Sequence, residues 1–325
     1  MLPSSKVTQT PPASSHPNSQ THVSQGGKES TSSFTTIATV ISTALQATSV
    51  PNDSIQLVTT RDVIDPLLQQ DRYINLVIPR GSNSLVSYIK NHTRIPVLGH
   101  ADGLCSAYLC SDADAEGAIR VILDAKLGYP AACNALETLL VDEAALTTVL
   151  PAIAETLLSR GVSLRCDSAS KAALTSSVAS HHAALLQSAT DADFDTEFLD
   201  LVLAIKTVPR SDSATTAVDL AIAHINAHGS HHTDVILTTS EDLAERFMGG
   251  VDSAGVFWNA STRFADGTRF GFGTEVGIST NKIHSRGPVG LEGLCIYKYK
   301  MRGNHQTAGE YGSGGRKYKH KTLPI

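Results

Sequence analysis

The sequence predicts an α/β fold built on parallel sheets, and three observations carry that expectation. Short runs rich in β-branched residues alternate with longer amphipathic segments along most of the chain. Several of the short runs are continuously apolar, as strands buried on both faces must be. Clusters of Gly, Pro and Asn punctuate the joins between them. No repeat at the periods of solenoid proteins is visible.

Residues 1–25 are rich in Ser, Thr, Pro, Gln and His and poor in large apolar side chains, so disorder is expected there. An organelle transit segment would be Ser-rich and acid-poor in the same way, but this stretch has no Arg and only Lys6 as a charge. The spacing of Phe34, Ile37, Ile41 and Leu45 predicts an amphipathic helix. A strand is expected over Ile55–Val58, then a helix starting at Pro66 with Asp65 as its N-cap. Ile74–Ile78 reads as a buried parallel strand that passes through Pro79-Arg80-Gly81-Ser82 into a helix carrying Leu85 and Ile89. Strands near Ile95–Leu98 and Leu104–Leu109 are expected to flank the turn Gly99-His100-Ala101-Asp102-Gly103. Further on, helices are expected near Ala113–Leu127, Glu143–Ser159, Ala214–His228 and Glu241–Met248. Strands are expected near Thr138–Val141, Leu201–Val208, Asp234–Leu237 and Gly255–Asn259. The alternating run Leu294–Lys300 predicts a last strand.

Composition narrows the function classes. A chain of 325 residues can bury one large or two medium cores, and 41% hydrophobic with 18% charged residues is ordinary for a globular protein. A net charge of −5 gives no electrostatic case for nucleic acid or an acidic membrane surface. The basic end (Arg316, Lys317, Lys319, Lys321) reads as a solvated tail. No apolar run approaches the roughly 20 residues that cross a bilayer. Cys105, Cys110, Cys133, Cys166 and Cys295 are odd in number and scattered, which fits a reducing, cytoplasmic compartment. None forms a Cys-x-x-Cys pair.

The segment from Lys126 to Val141 is the most informative. It sets Cys133 after Pro130-Ala-Ala and before a run that reads as helix entering strand. A cysteine at a helix N-terminus has its thiolate stabilised and its pKa lowered, which makes a nucleophile. The competing reading is a small buried hydrophobe. The same stretch (Lys126-Leu-Gly-Tyr-Pro-Ala-Ala-Cys133-Asn134-Ala-Leu-Glu137) resembles the active-site segment of gamma-glutamyl phosphate reductases, members of the aldehyde dehydrogenase superfamily that act in proline biosynthesis. The resemblance extends through Tyr73–Ser82, His228–Asp234, Asn259–Phe264 and Phe270–Pro288, in the family's order, and covers about Gly26 to Gly303.

That resemblance implies an aldehyde dehydrogenase-like α/β architecture. Residues 26–103 would be the remaining part of an NADP-binding domain, 104–288 a catalytic domain, 289–303 an oligomerisation-arm strand and 304–325 a tail. In the family the segment Gly26–Ser30 falls well inside the cofactor domain, so an N-terminally truncated chain is expected, lacking the loop Asn that completes the oxyanion hole. The implied reaction is NADPH-dependent reduction of L-glutamyl 5-phosphate to L-glutamate 5-semialdehyde and phosphate through a Cys133 thioester. The alternatives are a truncated non-catalytic paralogue that assembles with full-length subunits, and an oxidative aldehyde dehydrogenase of other specificity. Oxidising relatives carry a glutamate base in the glycine-rich turn; here that turn holds His100 and Asp102, and Asp102 also suits a plain turn role.

By the same resemblance, Lys28 sits beside the adenine ribose, Gly81 and Ser82 at a phosphate-binding turn, and Glu197 on the nicotinamide ribose. A solvated lysine and an exposed helix carboxylate are the structural alternatives for Lys28 and Glu197. Arg263 and Arg286 suit the two anionic ends of the substrate because guanidinium pairs bidentately with carboxylate and phosphate. Ser261, Thr262 and His284 complete the expected substrate set, although Arg286 and His284 flank a Gly287-Pro288 turn and could serve it alone. A homo-oligomer is implied, with glutamate 5-kinase as a candidate partner. The pairs His181-His182 and His231-His232 invite a metal reading, but adjacent side chains point apart and the family needs no metal, so none is expected.

Overall fold

The computed structural model describes residues 4–9, 21–26, 30–58, 62–210 and 216–318. The chain divides into two compact units, Met1–Gly293 and Leu294–Ile325. The first carries, in order, β1 (Ser4–Gln9), β2 (Thr21–Gly26), α1 (Thr31–Leu45), β3 (Ile55–Val58), α2 (Ile64–Leu68), β4 (Ile74–Ile78), α3 (Asn83–His92), β5 (Cys105–Leu109), α4 (Ala115–Leu127), β6 (Leu136–Asp142), α5 (Leu150–Ser159), β7 (Ser163–Cys166), α6 (Ser168–Thr175), β8 (Leu186–Ser188), β9 (Val202–Val208), α7 (Ala217–His228), β10 (Thr233–Leu237), α8 (Glu241–Gly250), β11 (Gly255–Trp258), β12 (Gly277–Ser279) and β13 (Gly287–Val289).

Seven strands form one wholly parallel sheet in the order β11-β10-β5-β6-β9-β7-β8. Its central strands are the continuous apolar runs, because helices cover both faces. Along β6, Leu139 and Val141 pack with α4 and α5, whereas Leu140 packs on the other face with α7 and α8. All three are fully buried. The helices begin where capping residues stand: Asp114 accepts from the Gly117 N–H at 2.8 Å, and Thr216 and Asp219 form a reciprocal capping box.

A second sheet, β3-β2-β1-β4, is mixed. Composition predicts disorder over 1–25, yet β1 pairs antiparallel with both β2 and β4. Backbone ladders need no apolar side chains of their own, so a polar strand is held when its neighbours supply the core. Here Val23, Ile74 and Val77 pack with Leu68 and Ile89.

Other local departures have identifiable causes. Ile95–Leu98 makes a single parallel bridge, Val77 to Val97, since Pro96 cannot donate to a ladder. The expected helix over 143–159 is a short 3-10 turn followed by α5, with Pro151 in the first turn of α5. Pro66 lies inside α2, and Asp65 accepts from the Tyr88 hydroxyl at 3.0 Å instead of capping. The strands β7 and β8 and the helix α6 are additions to the predicted set.

In the second unit the predicted strand Leu294–Lys300 is not formed. A strand requires a ladder partner, and Ile296, Tyr297 and Tyr299 are almost wholly exposed. The described order of this unit includes a turn at Ala308–Glu310, a bridge between Tyr311 and Arg316, an Arg316–Glu310 ion pair and a stacked Tyr311–Tyr318 pair.

Candidate functional site

Cys133 lies in the turn between α4 and β6, and three segments fix it. Thr262, fully buried, donates its hydroxyl to the Asn134 carbonyl at 2.7 Å. Asn134 in return donates its side-chain N–H to the Ala265 carbonyl at 3.0 Å. The third segment is the glycine-rich turn. A Cβ on Gly103 would stand 2.1 Å from the Cys133 carbonyl oxygen and 2.5 Å from its Cα, so only glycine permits this contact. The turn is itself held from two sides, by Gly103 N–H to Glu197 Oε1 at 2.9 Å and Leu104 N–H to Ser230 Oγ at 2.9 Å. Beside it, the Cys105 thiol donates to the Cys133 carbonyl.

The expected helix N-terminus is absent. After Cys133 the chain passes through Asn134 and Ala135 directly into β6, because the apolar run Leu136–Val141 is wholly strand. Nothing of a helix dipole lowers the thiol. Burial pushes it up to about 11, and the charges of Glu275 and Glu197 add to the rise; Arg80 and the residue's own backbone N–H pull the other way. Burial also raises the Glu197 carboxyl, opposed by its Gly103 hydrogen bond. Glu197 sits in the loop between β8 and β9, not on a helix, and this loop holds Leu199 at φ 56°, a left-handed conformation that a leucine adopts only under constraint. The constraint is a hydrogen bond from the Leu199 N–H to Glu137 Oε1 at 3.3 Å.

Two histidines complete the surroundings. His100, Cys133 and His232 present ring nitrogens and sulfur within 4.8 Å of one another. The rings meet edge to face at 5.2 Å. Burial lowers both pKa values, with His232 down to about 3. His231 points away, its Nδ1 on the Asp252 carbonyl at 2.6 Å, with its backbone at φ 60°. The pair does diverge as the spacing argument expects, but divergence aims His232 at Cys133.

The other sequence candidates fall into three groups. Ser261 and Thr262 frame the cysteine turn: Ser261 accepts from the Arg263 N–H at 3.2 Å and Thr262 is spent on Asn134. Arg263 is half-buried beside Gly128 and has no carboxylate partner among the described residues. Arg286 and His284 are engaged elsewhere, Arg286 with Asp252 at 3.1 Å and His284 with the Gly293 carbonyl at 2.8 Å, which favours the turn role for both. Ser82 is the N-cap of α3, accepting from the Leu85 N–H, and Gly81 leaves room for the Leu85 side chain. Asp102 is tied to Asn83 at 2.6 Å, which joins the start of α3 to the glycine-rich turn. Lys28 lies outside the described residues.

Residue-type reasoning passed over Arg80, whose guanidinium donates to the Val276 carbonyl, and Glu275, which accepts from the Gly267 N–H at 2.9 Å. Both stand inside the segments carrying the resemblance, which is the signal that could have found them. A cavity of about 350 Å3 lined by Asp114, Gly117, Arg120 and Asn259 lies past the carboxyl ends of β5 and β10. Cys133 stands before the amino end of β6, so the chemistry and this cavity occupy opposite edges of the sheet.

No family model matches the chain. Among curated proteins it is 55% identical over 303 residues to one described as "Probable gamma-glutamyl phosphate reductase" of Schizosaccharomyces pombe, covering 93% of this chain and 65% of that protein. It is 47% identical over 317 residues to the gamma-glutamyl phosphate reductase of Saccharomyces cerevisiae, covering 93% of this chain and 67% of the relative. The crystal structure of gamma-glutamyl phosphate reductase from Thermotoga maritima superposes with a TM-score of 0.79 at 37% identity, over 87% of this chain and 65% of that one. A glyceraldehyde-3-phosphate dehydrogenase from Methanocaldococcus jannaschii, solved with NADP, shares the fold at a TM-score of 0.53 and 16% identity, over 79% of this chain and 61% of that one. The chain spans about two thirds of the length of the curated relatives it matches.

Proposed function

The chain belongs to the gamma-glutamyl phosphate reductase family, and we propose on that premise that it serves the reduction of L-glutamyl 5-phosphate to L-glutamate 5-semialdehyde, with release of phosphate, in proline biosynthesis. The observation that carries this reading is the immobilised Cys133 turn, locked by Thr262, Asn134 and Gly103. In this reading the Cys133 sulfur attacks the acyl carbon, its proton leaves, the C–O bond to phosphate breaks, and the acyl group rests on the enzyme as a thioester. Its backbone N–H faces the developing oxyanion; a fixed donor of this kind is worth about 3 kcal/mol. Arg80 opposes the rise of the thiol, and Arg263 offers a guanidinium to the substrate's anionic groups.

The residues fit a nicotinamide dinucleotide. The ten-residue α3 begins directly after Gly81-Ser82 and presents its first N–H groups to a phosphate, and Glu197 keeps Oε2 free of the Gly103 bond for a ribose hydroxyl. When bound, such a cofactor supplies the hydride this reduction consumes. The choice of NADPH rests on Lys28 and the family. Domain limits at 103 and 288, a homo-oligomer, glutamate 5-kinase as partner and a cytoplasmic setting belong to the same proposal; no described helix is long and apolar enough to cross a membrane. An assembly subunit without activity is the weaker reading, since the locked cysteine turn has no purpose there.

The test is phosphate-dependent reduction of NADP by L-glutamate 5-semialdehyde, the reverse reaction, with native protein and Cys133→Ser. Loss of turnover in the variant, with phosphate required, is expected. Equal turnover in both, or no need for phosphate, sinks the assignment.

A further inference from the structure

Three separate segments converge at Cys133 and leave polar atoms with nothing to bind. His232 is 1% exposed; its Nδ1 meets the Thr233 hydroxyl at 3.0 Å, while its Nε2 is buried without a hydrogen-bond partner. His100 lies within hydrogen-bonding reach of the Ile278 backbone, and its Nδ1 is likewise buried without a partner. Each ring therefore has one nitrogen held by the protein and one idle lone pair. That division is how metal-bound histidines are oriented: the outer nitrogen fixes the tautomer and the inner one donates to the ion. An idle buried nitrogen costs free energy unless something occupies it.

The third vertex is the Cys133 sulfur, with all three ligand atoms within 4.8 Å of one another. Ligand atoms around a tetrahedral zinc lie roughly 3.3–3.6 Å apart, given Zn–N near 2.0 Å and Zn–S near 2.3 Å. The surrounding charges are mixed: Glu197 and Glu275 act on Cys133 from one side and favour a cation, and Arg80 opposes it. The Cys105 thiol, 3.9 Å from His232, already donates to the Cys133 carbonyl and is not counted as a ligand.

We propose that His100, Cys133 and His232 form a binding site for a thiophilic divalent cation of the Zn2+ class, with water as fourth ligand, and that occupancy masks the nucleophile. On binding, the S–H bond breaks, an S–Zn bond forms and the proton leaves to solvent; no oxidant or reductant is needed. The site is inhibitory and reversible by chelation. Its inhibitory effect rests on Cys133 being the nucleophile of the proposed reduction, whereas metal binding itself does not, and the readouts follow metal and thiol rather than turnover.

The test loads the purified chain with Co2+ and Zn2+. Bound Co2+ is expected to give intense tetrahedral visible bands and a thiolate-to-metal charge-transfer band in the near ultraviolet, and Cys133→Ser should abolish the latter. Zn2+ affinity, measured against a chromophoric chelator, should fall at least about tenfold in His100→Phe and in His232→Phe. Aromatic replacements keep the ring volume, and circular dichroism confirms folding. On unmutated protein, Zn2+ should block alkylation of Cys133 by iodoacetamide, and EDTA should restore it. A cobalt spectrum without a thiolate band would place the ion elsewhere, for instance at the Glu155, His181 and His182 group, and would overturn the proposal. Undiminished alkylation in saturating Zn2+ would overturn it as well.

Discussion

Two polar clusters flank the same cysteine turn and treat their buried groups in opposite ways. Lys126 and Glu137, at 0% and 1% side-chain exposure, pair at 2.8 Å, and Glu137 takes a further N–H from Leu199. Burial pushes Glu137 up and Lys126 down, while their mutual attraction resists both shifts. The His100–Cys133–His232 group is as enclosed at its His232 vertex, yet it leaves two ring nitrogens unmatched. A buried pair whose charges answer each other holds the fold; a buried group with idle nitrogens beside a thiol has binding capacity left over. The difference in hydrogen-bond completeness separates scaffold from site more sharply than burial does.

The comparison can be broken by stability measurements. Glu137→Ala strands a buried ammonium and should cost about 3–5 kcal/mol in urea unfolding. Replacing both partners, Lys126→Met with Glu137→Leu, should recover most of that loss. Thr262→Val leaves the Asn134 carbonyl without its donor and should cost about 1–3 kcal/mol. His232→Phe, by contrast, loses the Thr233 hydroxyl contact together with an idle nitrogen and should cost about 1 kcal/mol, against the roughly 2 kcal/mol or more expected had both ring nitrogens been bonded. Equal losses in Glu137→Ala and His232→Phe would erase the distinction.

The smallest effect sharpens the electrostatics. A thiol at about 11 is protonated at neutral pH, so alkylation of Cys133 should rise about tenfold per pH unit from 7 to 10 with no plateau. Glu275→Gln removes a charge that raises the thiol and should shift the profile to lower pH, a few-fold faster at pH 8. A plateau near pH 7 would mean that Arg80 or another cation outweighs burial.

Much of the fold was legible because the central strands β5, β6, β9 and β10 are largely apolar runs set between amphipathic helices. What escaped was short or polar: β7 has two apolar positions, β1 is held by its backbone ladders, and β2 brings Val23 to the core. Cys133 was legible as a residue but not in its environment. The strand expected from Thr138 is formed, but the helical turn expected just ahead of it is not, since β6 already begins at Leu136; that missing turn carried the wrong sign for the thiol. His232 was weighed only against its sequence neighbour, and no periodicity links positions 100, 133 and 232. Arg286 and His284 were plausible by type, yet the fold turns the two terminal nitrogens of Arg286 onto Asp252 and His284 Nε2 onto the Gly293 carbonyl, leaving only Arg286 Nε of the guanidinium without a partner.

The bonds from Thr262 to Asn134 and from Asn134 to Ala265 join residues 128 and 131 positions apart. On a ribosome, the cysteine is therefore made long before the clamp that aligns it. Until the stretch around 261–265 emerges, the thiol belongs to a turn that lacks its clamp. The clamped geometry is thus a late product of synthesis, and a growing chain carries an unclamped cysteine while about 130 further residues are added.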